Sequence, residues 1–145
     1  MIKILCVGKI KENYLKEAIA DYQKRISKYH KLEIIEVPDS DISKEEDYLL
    51  KNINQKDYII TLEIEGKQIK SLELAKKIDE VFITNSSITF VIGGSYGLSS
   101  KIKELSNFHL SFSLLTFPHG LFRVILLEQI YRAYKILNNE TYHKY

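Results

Sequence analysis

The sequence predicts an α/β fold with a mostly parallel sheet and helices on both faces. Three observations point to it. Short β-branched runs alternate with stretches of helical periodicity along the whole chain. One run, Ile88 to Ile92, is almost wholly apolar, as a central strand covered on both faces must be. The chain of 145 residues, 45% hydrophobic and 28% charged, has the makeup of a globular domain with its own core. A single domain over residues 1–145 is therefore expected.

Ile2 to Val7 is the first strand, followed by Gly8 and a polar turn. Tyr14, Leu15, Ala18, Ile19, Tyr22, Ile26 and Tyr29 recur at helical spacings and place an amphipathic helix over 13–29. Leu32 to Val37 is the second strand, stopped by Pro38. Ser43 with Glu46 three residues on has the form of a capping box, opening a short helix to about Ile53. Asp57 to Ile64 is the third strand, ended by Glu65-Gly66. Leu72, Leu74, Ala75, Ile78, Val81 and Phe82 mark a helix from about Ser71 to Ile83. After the fourth strand, a helix from about Ser99 to Leu105 leads into a fifth strand, Leu110 to Leu115. The last helix runs from about Leu121 to Leu137. Its apolar residues spread too widely for one face, which predicts burial on several sides and a dimer interface.

Several function classes are excluded. No apolar run approaches the roughly 20 residues a membrane-spanning helix needs. The first residues read as a strand rather than a signal peptide, so a cytoplasmic protein is expected. Cys6, inside the first strand, reads as a small core residue rather than a nucleophile. His30, His109, His119 and His143 show no ligand spacing, and no metal is expected. A serine hydrolase would need a G-x-S-x-G elbow, which is missing. The net charge of +2 does not argue nucleic-acid binding, but residues 1–31 carry eight Lys/Arg against three acids. That excess makes either a phosphate-binding patch or a solvated helix face.

In parallel sheets ligands bind beyond the carboxyl ends of the strands. Here those ends are Ile64 to Lys67, Gly93 to Leu98 and Thr116 to Gly120. Gly93-Gly94-Ser95-Tyr96-Gly97 follows a buried strand, and its glycines let backbone amides approach a ligand. The spacing is not G-x-G-x-x-G and no Lys-Ser/Thr follows, so ligand loop and plain tight turn both remain open. In Ser111 to Gly120, a strand end could hold an adenine edge while Leu and Phe cover its faces. A buried strand closed by a proline turn is the alternative. His119 could act as a base, cap the next helix or merely be exposed. Arg123 falls in the expected first turn of the last helix, where the dipole disfavours a cation. It needs a partner, whether phosphate, carboxylate or a surface ion pair. Glu128 and Arg132 form an i, i+4 pair of structural kind. The tail Tyr142-His143-Lys144-Tyr145 reads alone as a frayed terminus.

Taken together, these segments carry a resemblance. They are Val7-Gly8-Lys9, Leu62-Glu63-Ile64-Glu65-Gly66-Lys67, Ile92-Gly93-Gly94-Ser95-Tyr96-Gly97-Leu98, Thr116-Phe117-Pro118-His119, Arg123-Val124, Glu128-Gln129-Ile130-Tyr131-Arg132-Ala133 and Tyr142-His143. With them the chain resembles the SPOUT (α/β-knot) superfamily, and within it the enzymes that methylate N3 of a pseudouridine in 23S rRNA. The resemblance implies a Rossmann-like, mostly parallel sheet whose C-terminal part threads a trefoil knot that holds S-adenosylmethionine. It implies cofactor contacts from Leu62, Gly93, Phe112, Ser113, Leu114, Leu115, Thr116 and Phe117. It further implies a homodimer with each site completed across the interface, and His119, Arg123, Tyr142 and His143 as the catalytic, substrate-facing set. The partner would be 23S rRNA in assembled ribosomes. Two departures stand out: the stretch from Pro38 to Asp57 is short for the family, and Tyr145 extends the usual tail. The competing readings are a non-catalytic nucleotide- or RNA-binding α/β module and a SPOUT methyltransferase acting on tRNA.

Overall fold

The computed structural model describes residues 1–144. The expectation attached to Tyr145 lies outside the described residues. Ten elements follow one another as β1 (Ile2–Val7), α1 (Asn13–Ser27), β2 (Leu32–Val37), α2 (Ile42–Asn52), β3 (Tyr58–Gln68), α3 (Ser71–Thr84), β4 (Ile88–Ile92), α4 (Ser100–Glu104), β5 (Phe108–Ser111) and α5 (His119–Leu137). The strands form one sheet in the order β2-β1-β4-β3-β5, with every pairing parallel. β4 lies at the centre and all five of its residues are buried, as its unbroken apolar run predicts.

Alternation along the strands sorts the core into two layers. Ile2, Ile4 and Cys6 of β1 and Ile88, Phe90 and Ile92 of β4 face the helices α1, α3 and α5. Leu5 and Val7 of β1, Ile59 of β3 and Val91 of β4 face α2 and α4, where Leu49 and Ile102 cover them. The breadth of the apolar surface on α5 has its cause within the chain. The helix packs on both α1 and α3, so Leu126, Leu127, Ile130 and Ala133 are all buried there. Cys6 is fully buried, and burial pushes its thiol up to about 11.

Four local expectations need correction. α2 is capped not by Ser43 but by Asp41, whose Oδ1 accepts from Lys44 N at 2.9 Å. Asp is as good a cap as Ser, and it starts the helix two residues earlier. The 11-residue α2 forms despite the shortened segment around it. β3 does not stop at Glu65-Gly66 but runs on to Gln68 through a register break, since both Leu62 and Lys67 pair with Leu110. Gly66 makes this possible: a Cβ there would lie 2.8 Å from the carbonyl oxygen of His109. β5 ends at Ser111 rather than Leu115. The Ser111 hydroxyl donates to Ile64 O at 2.8 Å, and the Ser113 hydroxyl accepts from Leu115 N at 3.0 Å. These serines turn the backbone out of the ladder. α5 begins at His119, which moves Arg123 to its fifth residue, beyond the reach assumed for the first-turn dipole argument.

Candidate active site

The carboxyl ends of β3 and β4 and the segment after β5 surround a cavity of about 510 Å³. That volume falls within the range of small-molecule sites. Its first wall is Leu62 to Glu65. Its second is the glycine turn, in which Gly97 N donates to Gly94 O at 3.0 Å and Gly97 has a φ of +74°. A Cβ on Gly93 would sit 2.7 Å from the carbonyl carbon of Gly97, so the two arms of the turn close only on glycine. The third wall runs from Leu110 through Phe112, Ser113, Leu115, Thr116 and Phe117 to His119 and Phe122. Phe122 of α5 anchors this loop: Phe112 meets it edge-on at 5.2 Å and Phe117 stacks on it at 6.0 Å.

The structure therefore brings together Leu62, Gly93, Phe112, Ser113, Leu115, Thr116 and Phe117 of the expected cofactor set. Leu114, 73% exposed, is the exception and does not line the cavity. His119 lines the cavity and also a broad second groove of about 900 Å³, shared with Gly8, Lys9, Lys11, Tyr14, Pro38, Gly120, Leu121 and Arg123. Gly94, Pro118 and His119 belong to both concavities, so they separate them by one layer of residues.

Arg123 touches the groove but is only 2% exposed. Its guanidinium bonds Glu36 Oε2 at 2.6 Å and donates to Val7 O at 3.0 Å and Gly8 O at 2.6 Å. Of the partners the sequence left open the structure shows a carboxylate, Glu36, and the Arg123 side chain ties α5 to the carboxyl ends of β1 and β2. Tyr142 and His143 are not part of either concavity in the chain. Tyr142 packs edge-on against Tyr131 at 5.0 Å under the Arg132 guanidinium, and His143 Nδ1 lies 3.1 Å from Arg132 Nη1. Burial raises the Tyr142 hydroxyl pKa, and the hydrogen bond to Glu128 raises that of Arg132. Helical rise alone puts about 18 Å between His119 and Tyr131. Tyr142 and His143 therefore do not meet His119 within one chain.

Sequence reasoning missed a polar cluster at the first wall. Glu63 lines the cavity, and its Oε2 accepts from Thr61 Oγ1 at 2.6 Å and meets His109 Nδ1. The local part of the signal is the alternation that puts Thr61 and Glu63 on one face of β3; their meeting with His109 comes only from the pairing of β3 with β5. A second omission is Glu45 of α2, 2% exposed beside Gly94 and accepting from Ser40 N at 2.8 Å. Burial raises its pKa, with neighbouring Asp39 adding to the effect. Among the described residues no three His, Cys, Asp or Glu side chains group as metal ligands, and no helix is long and apolar enough to cross a membrane.

An all-parallel sheet with a three-walled cavity at its carboxyl edge defines an α/β ligand-binding protein of the doubly wound kind. The chain belongs to the SPOUT methyltransferase family, whose model, described as predicted SPOUT methyltransferase, matches residues 1–143. A protein of Methanococcus maripaludis is 54% identical over 99% of both chains. A Clostridium tetani protein named ribosomal RNA large subunit methyltransferase H is 50% identical over 99% of both. Among solved structures, one described as a probable methylase family protein from Haemophilus influenzae shares the fold, with a TM-score of 0.59 and 16% identity. It covers 99% of this chain and 70% of its own.

Proposed function

We propose that the cavity binds S-adenosylmethionine and that the chain methylates N3 of a pseudouridine in the 23S rRNA of the large subunit, on assembled ribosomes. It would do so in the cytoplasm and as a homodimer. The trefoil knot implied by the resemblance is part of the same proposal. The name carried by the Clostridium tetani relative supports large-subunit rRNA as substrate. The observation that carries the reading is the shared wall. A cofactor-sized cavity and a groove rimmed by Lys9 and Lys11 adjoin at Gly94, Pro118 and His119. Support for the homodimer comes from Tyr14, 69% exposed, and Leu121, which leave apolar surface at the amino ends of α1 and α5.

The residues present fit an adenosine-type ligand. Phe112, Phe117 and Leu62 offer apolar faces, the glycine turn offers backbone, and Ser113 and Thr116 offer hydroxyls. Leu62, Gly93, Phe112, Ser113, Leu114, Leu115, Thr116 and Phe117 would hold it, Leu114 through its backbone. When bound, S-adenosylmethionine supplies a methyl group activated by a sulfonium leaving group. The chain's task is then to position and desolvate the target nitrogen. His119 would take the proton that N3 loses, a role supported by its lining both concavities. Arg123 acts as a positioning residue that holds Gly8 and the start of α5 in place. The Tyr142-His143 tail would complete the substrate side from a second copy of the chain.

Calorimetric titration with S-adenosylmethionine and its demethylated product, followed by mass mapping of nucleosides from treated ribosomes, tests the proposal. Binding of both and one added methyl on pseudouridine N3 is expected. Absence of binding, or methyl transfer to tRNA alone, would overturn it.

A further inference from the structure

We infer that Glu63 is the ribose-binding residue of the cavity, its carboxylate accepting hydrogen bonds from the two vicinal hydroxyls of a bound nucleoside. The inference rests on the proposed cofactor reading, and it starts from the sheet. Thr61 of β3 and His109 of β5 are register partners, so the pairing of the two strands places a hydroxyl and an imidazole side by side. Both converge on the same oxygen of Glu63. Thr61 is fully buried and donates to Oε2 at 2.6 Å, while His109 meets that oxygen through Nδ1. Thr61 is itself braced by Ser106 Oγ at 2.7 Å. The carboxylate is therefore held in one orientation before any ligand arrives.

Only one oxygen is consumed in this way. Oε1 has Lys103 Nζ at 4.0 Å, and that lysine side chain is 47% exposed, so the ion pair is loose and weak. An ionised carboxylate is acceptor-only, with lone pairs left on both oxygens, and it suits two adjacent O–H donors. Glu63 follows Leu62 directly on the cavity wall at the carboxyl end of a parallel strand. A base lying against Leu62 and Phe112 would carry its sugar to the next residue along. Acidic side chains near such strand ends hold ribose hydroxyls in other nucleotide-binding sheets.

The alternative partner for Glu63 is a ligand cation, either the ammonium or the sulfonium of the aminoacyl end. Lys103 argues against it. A second positive charge at Oε1 would stand beside the lysine ammonium, whereas neutral hydroxyls meet no such repulsion.

The test is calorimetric and independent of turnover. The native protein, Glu63→Ala, Glu63→Gln and His109→Gln are titrated with S-adenosylhomocysteine, 5′-methylthioadenosine and the 2′,3′-dideoxy form of the latter. The native protein should prefer the diol over the dideoxy nucleoside by about tenfold or more, the scale of hydrogen bonds to a charged group. Glu63→Ala should abolish that preference, and should weaken S-adenosylhomocysteine and 5′-methylthioadenosine by the same factor. Glu63→Gln and His109→Gln should fall between, because each keeps an acceptor but loses its charge or its orientation. Thermal unfolding of each variant separates a folding defect from a lost contact. Loss confined to S-adenosylhomocysteine would assign Glu63 to the ammonium and overturn the inference. A diol preference unchanged in Glu63→Ala would overturn it too. Failure of the native protein to bind S-adenosylhomocysteine at all would instead remove the cofactor reading beneath it.

Discussion

Replacing Arg123 by alanine separates a structural strut from a catalytic group. The guanidinium has three acceptors: Glu36 Oε2, Val7 O and Gly8 O. Glu36 is 38% exposed and can turn to water, so its share of the loss is small. The Val7 carbonyl is buried and would be left without this donor, at about 1–3 kcal/mol, and the half-covered Gly8 carbonyl adds about 1. The sum is about 3 kcal/mol, or roughly a 10 °C fall in unfolding midpoint for a chain of this size. Arg123→Lys keeps the charge but not the planar fork, and should lose about half as much. Urea unfolding at fixed protein concentration, with cofactor affinity measured alongside, reads both. If Arg123→Ala unfolds within about 1 kcal/mol of the parent yet methylates nothing, the strut argument is wrong and the side chain serves the substrate directly.

Gly93→Ala would put a methyl 2.7 Å from the Gly97 carbonyl carbon, and calorimetry should show affinity for the demethylated cofactor falling about tenfold or more; native affinity would mean the turn is not a wall of the site. With its thiol pushed up to about 11, Cys6 is roughly one part in a thousand thiolate at pH 8. A disulfide reagent should leave it untouched until the protein is unfolded, and rapid labelling of native protein would contradict its burial. His30 lies tilted against Phe82 at 4.4 Å and stacks on Tyr134 at 5.8 Å, and burial lowers its pKa from 6.5. The unfolded chain then takes up the proton first, so stability should decline as pH falls through 6.5, and His30→Phe should flatten that decline in unfolding curves. Truncation after Asn139 should abolish methylation while calorimetric cofactor affinity persists. Full activity would take the tail out of the mechanism.

The regular elements were legible because their signals are local and redundant. β1, β2 and β4 agree residue for residue with the runs Ile2 to Val7, Leu32 to Val37 and Ile88 to Ile92. The rule placing ligands at strand ends then marked all three cavity walls. What was not legible depended on contacts distant in sequence. Ser-Phe-Ser-Leu-Leu alternates like a strand, yet the chain leaves the ladder after Ser111, whose hydroxyl donates to the Ile64 carbonyl. Gly66 reads as a strand stop, and only its closeness to His109 makes it a strand residue. Arg123 announced a need for a partner, but Glu36, 87 positions away, could not be named without the fold. The Glu63 cluster was hidden for the same reason, since Thr61 and His109 become neighbours only through pairing of β3 with β5.

The order of elements in the chain has a consequence for when the site can exist. The third wall, its Phe122 anchor and the Arg123 strut all lie in β5, α5 and the loop between them, which follow every other element. β5 adds to an edge strand already in place, and α5 packs on α1, the first helix of the chain. During synthesis the sheet β2-β1-β4-β3 can assemble on the ribosome while the ligand site still lacks one side. Closing such long sequence separations is slow compared with forming local helices. The cavity is therefore completed only in the last stage of folding, and a nascent chain stalled before α5 would hold most of its sheet without a closed cavity.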